Sequence, residues 1–195
     1  GINIGSVLSS LMIPWLLKAY GPAVAFGVPG LFMLVATLTF WMGRYHFVHL
    51  PPAGKSYLTD VFGRDGRRVA SRLLVIYILV AAFWSLFDQM GSTWVLQAMQ
   101  MDRTILGYEL LPAQIQAMNP FLIIVLIPLF SYYIYPFMAR YFDLTAGRKM
   151  CMGMFLAATP FLVTAWCESQ IQLGHTPHIS WQLLAYFLMT LAEVL

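Results

Sequence analysis

Asp88 sits in FWSLFDQMGSTWVLQ, inside an apolar run from Leu73 to Ala98 that is long enough to cross a bilayer. A carboxyl at that depth costs at least about 2.5 kcal/mol and by default marks a proton, ion or substrate pathway. A second acid, Glu193, lies in the apolar run WQLLAYFLMTLAEVL. Neither has a lysine or arginine beside it. A carboxyl away from water keeps its proton, and one facing a cation gives it up. A conformational change that exchanges those two surroundings moves a proton. The cation for such a cycle is expected from outside residues 1–195.

Composition names the solvent. Of 195 residues, 60% are hydrophobic and 10% are charged. Mean hydropathy is +0.73. Water-soluble domains carry about 25% charged residues, so a soluble core cannot hide this surface and the solvent is lipid. The net charge is only +3, so its placement matters more than its sum. The chain starts at Gly1 and stops at Leu195 within apolar runs, which leads to the expectation of a piece of a longer membrane protein.

Six membrane segments are expected, two of them partial: about 1–17, 23–43, 71–98, 114–138, 150–167, and one starting near Trp181. A span needs roughly 20 apolar residues. The connection 44–72 holds Arg44, Lys55, Arg64, Arg67, Arg68 and Arg72, and 139–149 holds Arg140, Arg148 and Lys149. The alternate connections hold only Lys18 and Arg103. The positive-inside rule places 44–72 and 139–149 in the cytoplasm. VHLPPAGKSY reads as coil and LTDVFGRDGRRVA as a short surface helix. A link of this length implies a boundary between helix bundles: 1–43, the linker 44–72, and 73–195.

That topology sets depth. Asp88 lies ten residues from Ala98, roughly 15 Å along a helix. Glu193 lies twelve residues from Trp181, roughly 18 Å. Both acids fall near the midplane. Trp84, Asp88 and Ser92 are spaced i, i+4, i+8 and form one semi-polar stripe on a continuous helix. Gln89 points about 100° away from it. Asn119-Pro120 opens the fourth segment, either as a simple helix start or as an amide presented to a cavity. Asn3 has the same two readings, an interhelical hydrogen bond or a cavity contact. Asp143 is placed to cap a helix or pair with Arg148.

Other signals fail. AGKS at 53–56 lacks the earlier glycine of a phosphate-binding loop, where His49 stands. His46 and His49 lie on the opposite membrane face from His175 and His178, so no metal site is expected. Cys151 and Cys167 fall on one expected helix, sixteen residues apart, and read as apolar helix residues. No nucleophile triad, redox motif or nucleic-acid signature is present. No enzyme activity and no cofactor are expected. The basic linker is explained by topology and by anionic lipid.

The chain resembles the proton-coupled oligopeptide transporters, a branch of the major facilitator superfamily. INIGSVLSSLMIPWLL and GPAVAFGVPGLFMLVATLTFWMGR resemble the family's fifth and sixth helices, and HLPPAG the start of its inter-bundle link. FWSLFDQMGS resembles the seventh-helix motif, QAMNPFLIIVLIPLF the eighth helix, and WQLLAYFLMTLAEVL the tenth. The motifs come in order and cover nearly the whole chain.

The resemblance implies an all-α membrane protein, part of a 12-helix fold running from the fifth helix into the tenth. It implies symport of protons with di- and tripeptides across the cytoplasmic or plasma membrane, with transport of another solute such as nitrate or an amino-acid conjugate as the alternative. Asp88 matches the family's proton-coupling acid, where glutamate is usual. Glu193 matches the glutamate that receives the peptide's amino group, with Ala192 before it where glycine is usual. Asn119 and Asn3 match asparagines of the peptide site, and Trp84 a cavity tryptophan. The implied partners are a small peptide, protons, lipid and the missing helices, with no nucleic acid and no metal.

Overall fold

The computed structural model describes residues 1–50, 54 and 61–195. Most of AGKS, and residues 51–53 and 55–60 of the expected linker, lie outside the described residues. Helix α1 spans Ile2–Tyr20 and α2 Pro22–Met42. Gly21, with φ +82°, turns one back on the other, a backbone state open to glycine at little cost. Helix α3 spans Arg64–Phe87. Residues 64–70, expected in a separate surface helix, instead form its first turns. No proline stands between Arg64 and the apolar run, and Gly66 falls in the first turn, so the two are continuous.

The third segment is not one helix. After Phe87 the chain tightens into a 3-10 turn, Asp88–Gly91, and resumes as α4, Thr93–Ala98. Ser92 at the junction leaves helical geometry, with φ −127° and ψ −88°. The expected stripe Trp84, Asp88, Ser92 therefore breaks at its middle. Gly91 and Ser92 are weak helix formers, and hydroxyls compete for the backbone. Here the Ser92 hydroxyl donates to the Asp88 carbonyl at 3.2 Å.

A small hairpin follows, Thr104–Ile105 (β1) with Tyr108–Glu109 (β2). Leu106 and Gly107, with φ +50° and +84°, make its two-residue turn. Arg103 anchors it, donating to the carbonyls of Ala98, Met99 and Leu110 and pairing with Glu109. The fourth segment opens with a 3-10 turn, Pro112–Ala117, and continues as α5, Met118–Leu129. A π-helical turn, Phe130–Ile134, leads into α6, Tyr135–Met138. Pro136 has no N–H for the carbonyl four residues back, which loosens the ladder there.

The fifth segment is longer than expected. It comprises α7, Ala146–Leu156, and α8, Thr159–Gln172, joined by a turn at 157–158. Pro160 sits in the first turn of α8, where its missing N–H does no harm. Cys151 and Cys167 thus lie on two successive helices rather than one, and both are free thiols. Helix α9 spans Ser180–Val194.

Among the described residues, five stretches are long and apolar enough to cross a membrane: Ile2–Tyr20, Pro22–His46, Arg64–Ala98, Pro112–Met138 and Ala146–Gln172. The core gathers around α9. Tyr186, Met189 and Ala185 pack with Met90 and Trp94 of the broken helix and with Ala157 and Cys167. Trp94 meets Tyr186 edge-on at 5.1 Å. Burying each such side chain contributes about 2 kcal/mol where water is the reference. Within lipid that drive is weaker, and close packing with interhelical hydrogen bonds carries the contact.

Candidate functional site

The polar groups of α9 fall on one face. Gln182, Tyr186, Thr190 and Glu193 are spaced i, i+4, i+8, i+11, within one helical stripe. Each meets backbone or amide groups from the third and fourth segments. Gln182 donates to the Trp94 carbonyl at 2.8 Å, and the Tyr186 hydroxyl to the Met90 carbonyl at 2.9 Å. Both carbonyls lie at the break in the third segment, where the α-helical ladder is interrupted. In a medium without water such groups must find donors inside the protein.

A cavity of about 300 Å³ opens beside this break. Asn3, Ser6 and Ser10 line it from α1, Asp88 and Gly91 from the 3-10 turn, and Gln116 and Asn119 from the fourth segment. Tyr186 closes one wall. Pro14 has no N–H for the Ser10 carbonyl, four residues before it on α1. The lining is therefore rich in amides and hydroxyls, suited to a hydrogen-bonding solute.

Asp88 lines this cavity and is solvent-accessible. Among the described residues, no lysine or arginine stands within ion-pair distance of it. Gln89 turns away, donating to the Ser85 carbonyl and accepting from the Thr93 hydroxyl.

Glu193 does not line the same cavity. It borders a smaller one of about 120 Å³, between Val80 and Phe83 of α3 and Met150 and Gly153 of α7. Its link to the first is Asn119, whose Nδ2 donates to Glu193 Oε2 at 2.8 Å and to Thr190 Oγ1 at 3.1 Å. The close approach of α7 and α9 sets this position. A Cβ on Gly153 would stand 2.6 Å from the Ala192 carbonyl oxygen.

Trp84 stands outside the cavity lining and is about half exposed, at 47%. It packs edge-on against Phe87 at 5.0 Å, and Phe87 does line the cavity. Among the described residues there is no cluster of histidine, cysteine or carboxylate groups fit to hold a metal. Asp143 pairs loosely with Arg148 at 4.0 Å. The capping of α7 falls instead to the Thr145 hydroxyl, which accepts the Arg148 N–H.

Several residues here escaped sequence reasoning. Ser6, Ser10, Gln116 and Tyr186 reach the cavity, and Thr190 shares Asn119 with Glu193. Two signals were available: Asn3, Ser6 and Ser10 recur at i, i+3, i+7, and the α9 stripe at i, i+4, i+8, i+11. A polar stripe on an otherwise apolar helix points away from lipid.

Known proteins resemble this chain in sequence and in fold. The model of the POT family matches residues 1–65 and 63–195. Human solute carrier family 15 member 2 is 33% identical over 212 residues, covering 87% of this chain and 29% of that protein. Peptide transporter family 1 of Drosophila melanogaster is 31% identical, covering 88% of this chain and 28% of that protein. The chain thus spans under a third of the length of these relatives, whose names are those of transporters. Among solved structures, the POT family transporter PepTSo is 33% identical with a TM-score of 0.83, over 99% of this chain and 52% of that one. An auto-inhibited POT family peptide transporter is 30% identical with a TM-score of 0.82. The helices are accordingly part of a major facilitator superfamily fold in a multi-pass membrane protein. By helix order, by the match along its length and by shared structure, the chain belongs to the POT family.

Proposed function

We propose that this chain is the central part of a proton-coupled symporter that imports di- and tripeptides across the plasma or inner membrane. One observation carries the reading. A single cavity gathers Asn3, Asp88 and Asn119 from three separate segments, and Asn119 ties Glu193 to it. The names of its relatives, peptide transporters among them, support the same substrate class.

In this reading Asp88 takes up a proton from outside while it is open to water in the cavity. Protonation releases it from a cation supplied by the other bundle and shifts the access equilibrium. The break at Asp88–Gly91 gives the outer half of that helix a place to bend. Glu193 receives the peptide's ammonium group, and Asn119 hands over its hydrogen bond when that group arrives. Asn3 and Asn119 bond the peptide backbone, and Trp84 shapes the pocket through Phe87. Residues 1–43 close the N-terminal bundle, 44–72 link the bundles, and 73–195 belong to the C-terminal bundle. The connections 44–72 and 139–149 face the cytoplasm.

The test is uptake by the full-length protein in proteoliposomes. With an inward proton gradient, labelled dipeptide accumulates above equilibrium and collapses when the gradient is discharged. Accumulation of nitrate or another anion in place of peptide would overturn the substrate assignment. Peptide uptake insensitive to the gradient would overturn the coupling.

A further inference from the structure

Gln114 joins two parts of the chain that lie 103 positions apart. Its Nε2 donates to the Leu11 carbonyl of α1 at 3.0 Å. Its Oε1 accepts the Leu111 N–H at 3.0 Å, closing the turn Pro112–Ala117. These two bonds fix the amide's orientation, because the oxygen is used on Leu111 and only the NH2 group is left for α1. The turn packs against α1 at this place. The neighbours of the joined residues in sequence, Ser10 beside Leu11 and Gln116 two after Gln114, line the cavity that holds Asp88. By the distribution of basic residues, the contact lies toward the outer side. Leu11 is at the middle of α1, on the outward side of the lining residues Asn3, Ser6 and Ser10, and Gln114 is at the outer start of its own segment.

We propose that Gln114 is a positioning residue for access to the cavity. It latches α1 to the Pro112–Ala117 turn across the cavity's outer end, and the latch opens when that end opens. The inference rests on the proposed transport function only in holding that the cavity carries a solute. The chemistry suits a reversible contact. A carbonyl oxygen has two lone pairs, so Leu11 keeps its helix bond while it accepts from Gln114. When the elements part, water replaces the amide at the carbonyl, and neither partner is stranded. A buried ion pair or an interlocked apolar contact at this place would resist release far more.

The test measures distance, not transport. Spin labels are placed at Tyr20 and Leu106, two exposed positions at the outer ends of α1 and the hairpin, in the full-length protein with its native cysteines replaced. Gln114→Glu keeps an acceptor for the Leu111 N–H and loses the donor to Leu11. Gln114→Met keeps the length and loses both bonds. Loss of one hydrogen bond raises the long-distance population about fivefold in each folded variant. A distance distribution unchanged from wild type in either variant would overturn the latch. The measurement needs neither peptide nor proton gradient. A failed uptake assay therefore leaves this result standing, and an unchanged distance leaves the transport reading intact.

Discussion

Asn119 donates one amide group to both Glu193 Oε2 and Thr190 Oγ1, at 2.8 and 3.1 Å, while it also lines the cavity that contains Asp88. The two membrane acids thus border separate cavities, and Asn119 lines the first while bonding the acid of the second. Breaking the Asn119–Glu193 bond from one cavity would change the hydrogen bonding of the carboxyl that borders the other. That relationship makes Asn119 the first residue to vary.

Asn119→Leu removes the donor at nearly constant size. The Glu193 carboxyl then loses its amide partner in a half-buried setting. An unsatisfied group of this kind costs about 1–3 kcal/mol. The purified full-length protein should melt at a lower temperature, and its apparent affinity for dipeptide should fall. Unchanged melting and affinity would remove Asn119 from the site.

Asp88→Asn holds the side chain in a permanently neutral form. Gradient-driven accumulation of peptide should be abolished, while exchange of labelled for unlabelled peptide at equal concentrations continues. Full accumulation in this variant would end the proton-coupling role assigned to Asp88.

Glu193→Gln keeps the shape and the contact with Asn119 but removes the charge offered to a peptide ammonium. Loss of one partner of a desolvated charge pair costs about 3 kcal/mol, or roughly a hundredfold in apparent KM. The loss should vanish for a peptide whose amino end is acetylated, because that substrate offers no cation. An equal loss for both peptides would point to a structural role.

Gly153→Ala tests how the smaller cavity is built. The new methyl group would meet the Ala192 carbonyl oxygen at 2.6 Å, so α7 and α9 must separate. Overpacking of this kind costs about 2 kcal/mol. Thermal unfolding should shift downward, and uptake should fall with it because Glu193 follows Ala192 on α9. A stable, fully active variant would show that the two helices tolerate a wider gap.

Outside the membrane, Asp102 links two connections. Its backbone pairs with Pro177 and Ile179, and its Oδ1 accepts the Thr104 N–H at 3.0 Å. That backbone bond and the Thr104 side chain hold its carboxyl below the ordinary 3.8, aided by the charges of His178 and Arg103 and opposed by desolvation. A depressed acid contributes stability that is complete above pH 3.8 and is lost as pH falls through its folded value. The Thr104 amide resonance should therefore show an acid titration step with a midpoint below 3.8. A midpoint at or above 3.8 would contradict the tether.

Much of the molecule was legible in the chain itself. Runs such as Leu73–Ala98 and Asn119–Phe130 are too apolar for water, and their spacing gave the number and order of segments. Asp88, Glu193, Asn119 and Asn3 stood out because a polar group in lipid is costly wherever the segment lies. Those are properties of composition along one dimension.

The bend at Asp88–Gly91, the turn at 157–158 and the continuity of Arg64 with its span were not legible. The bend depends on whether neighbours donate to the freed carbonyls, as Tyr186 does for Met90 and Gln182 for Trp94. Nor could sequence say that Asp88 and Glu193 border different cavities, or that Gln114 reaches Leu11. Sequence determined which side chains cannot face lipid. Only tertiary structure decided what each faces instead, because hydrogen bonds and close contacts are made across segments scores of residues apart.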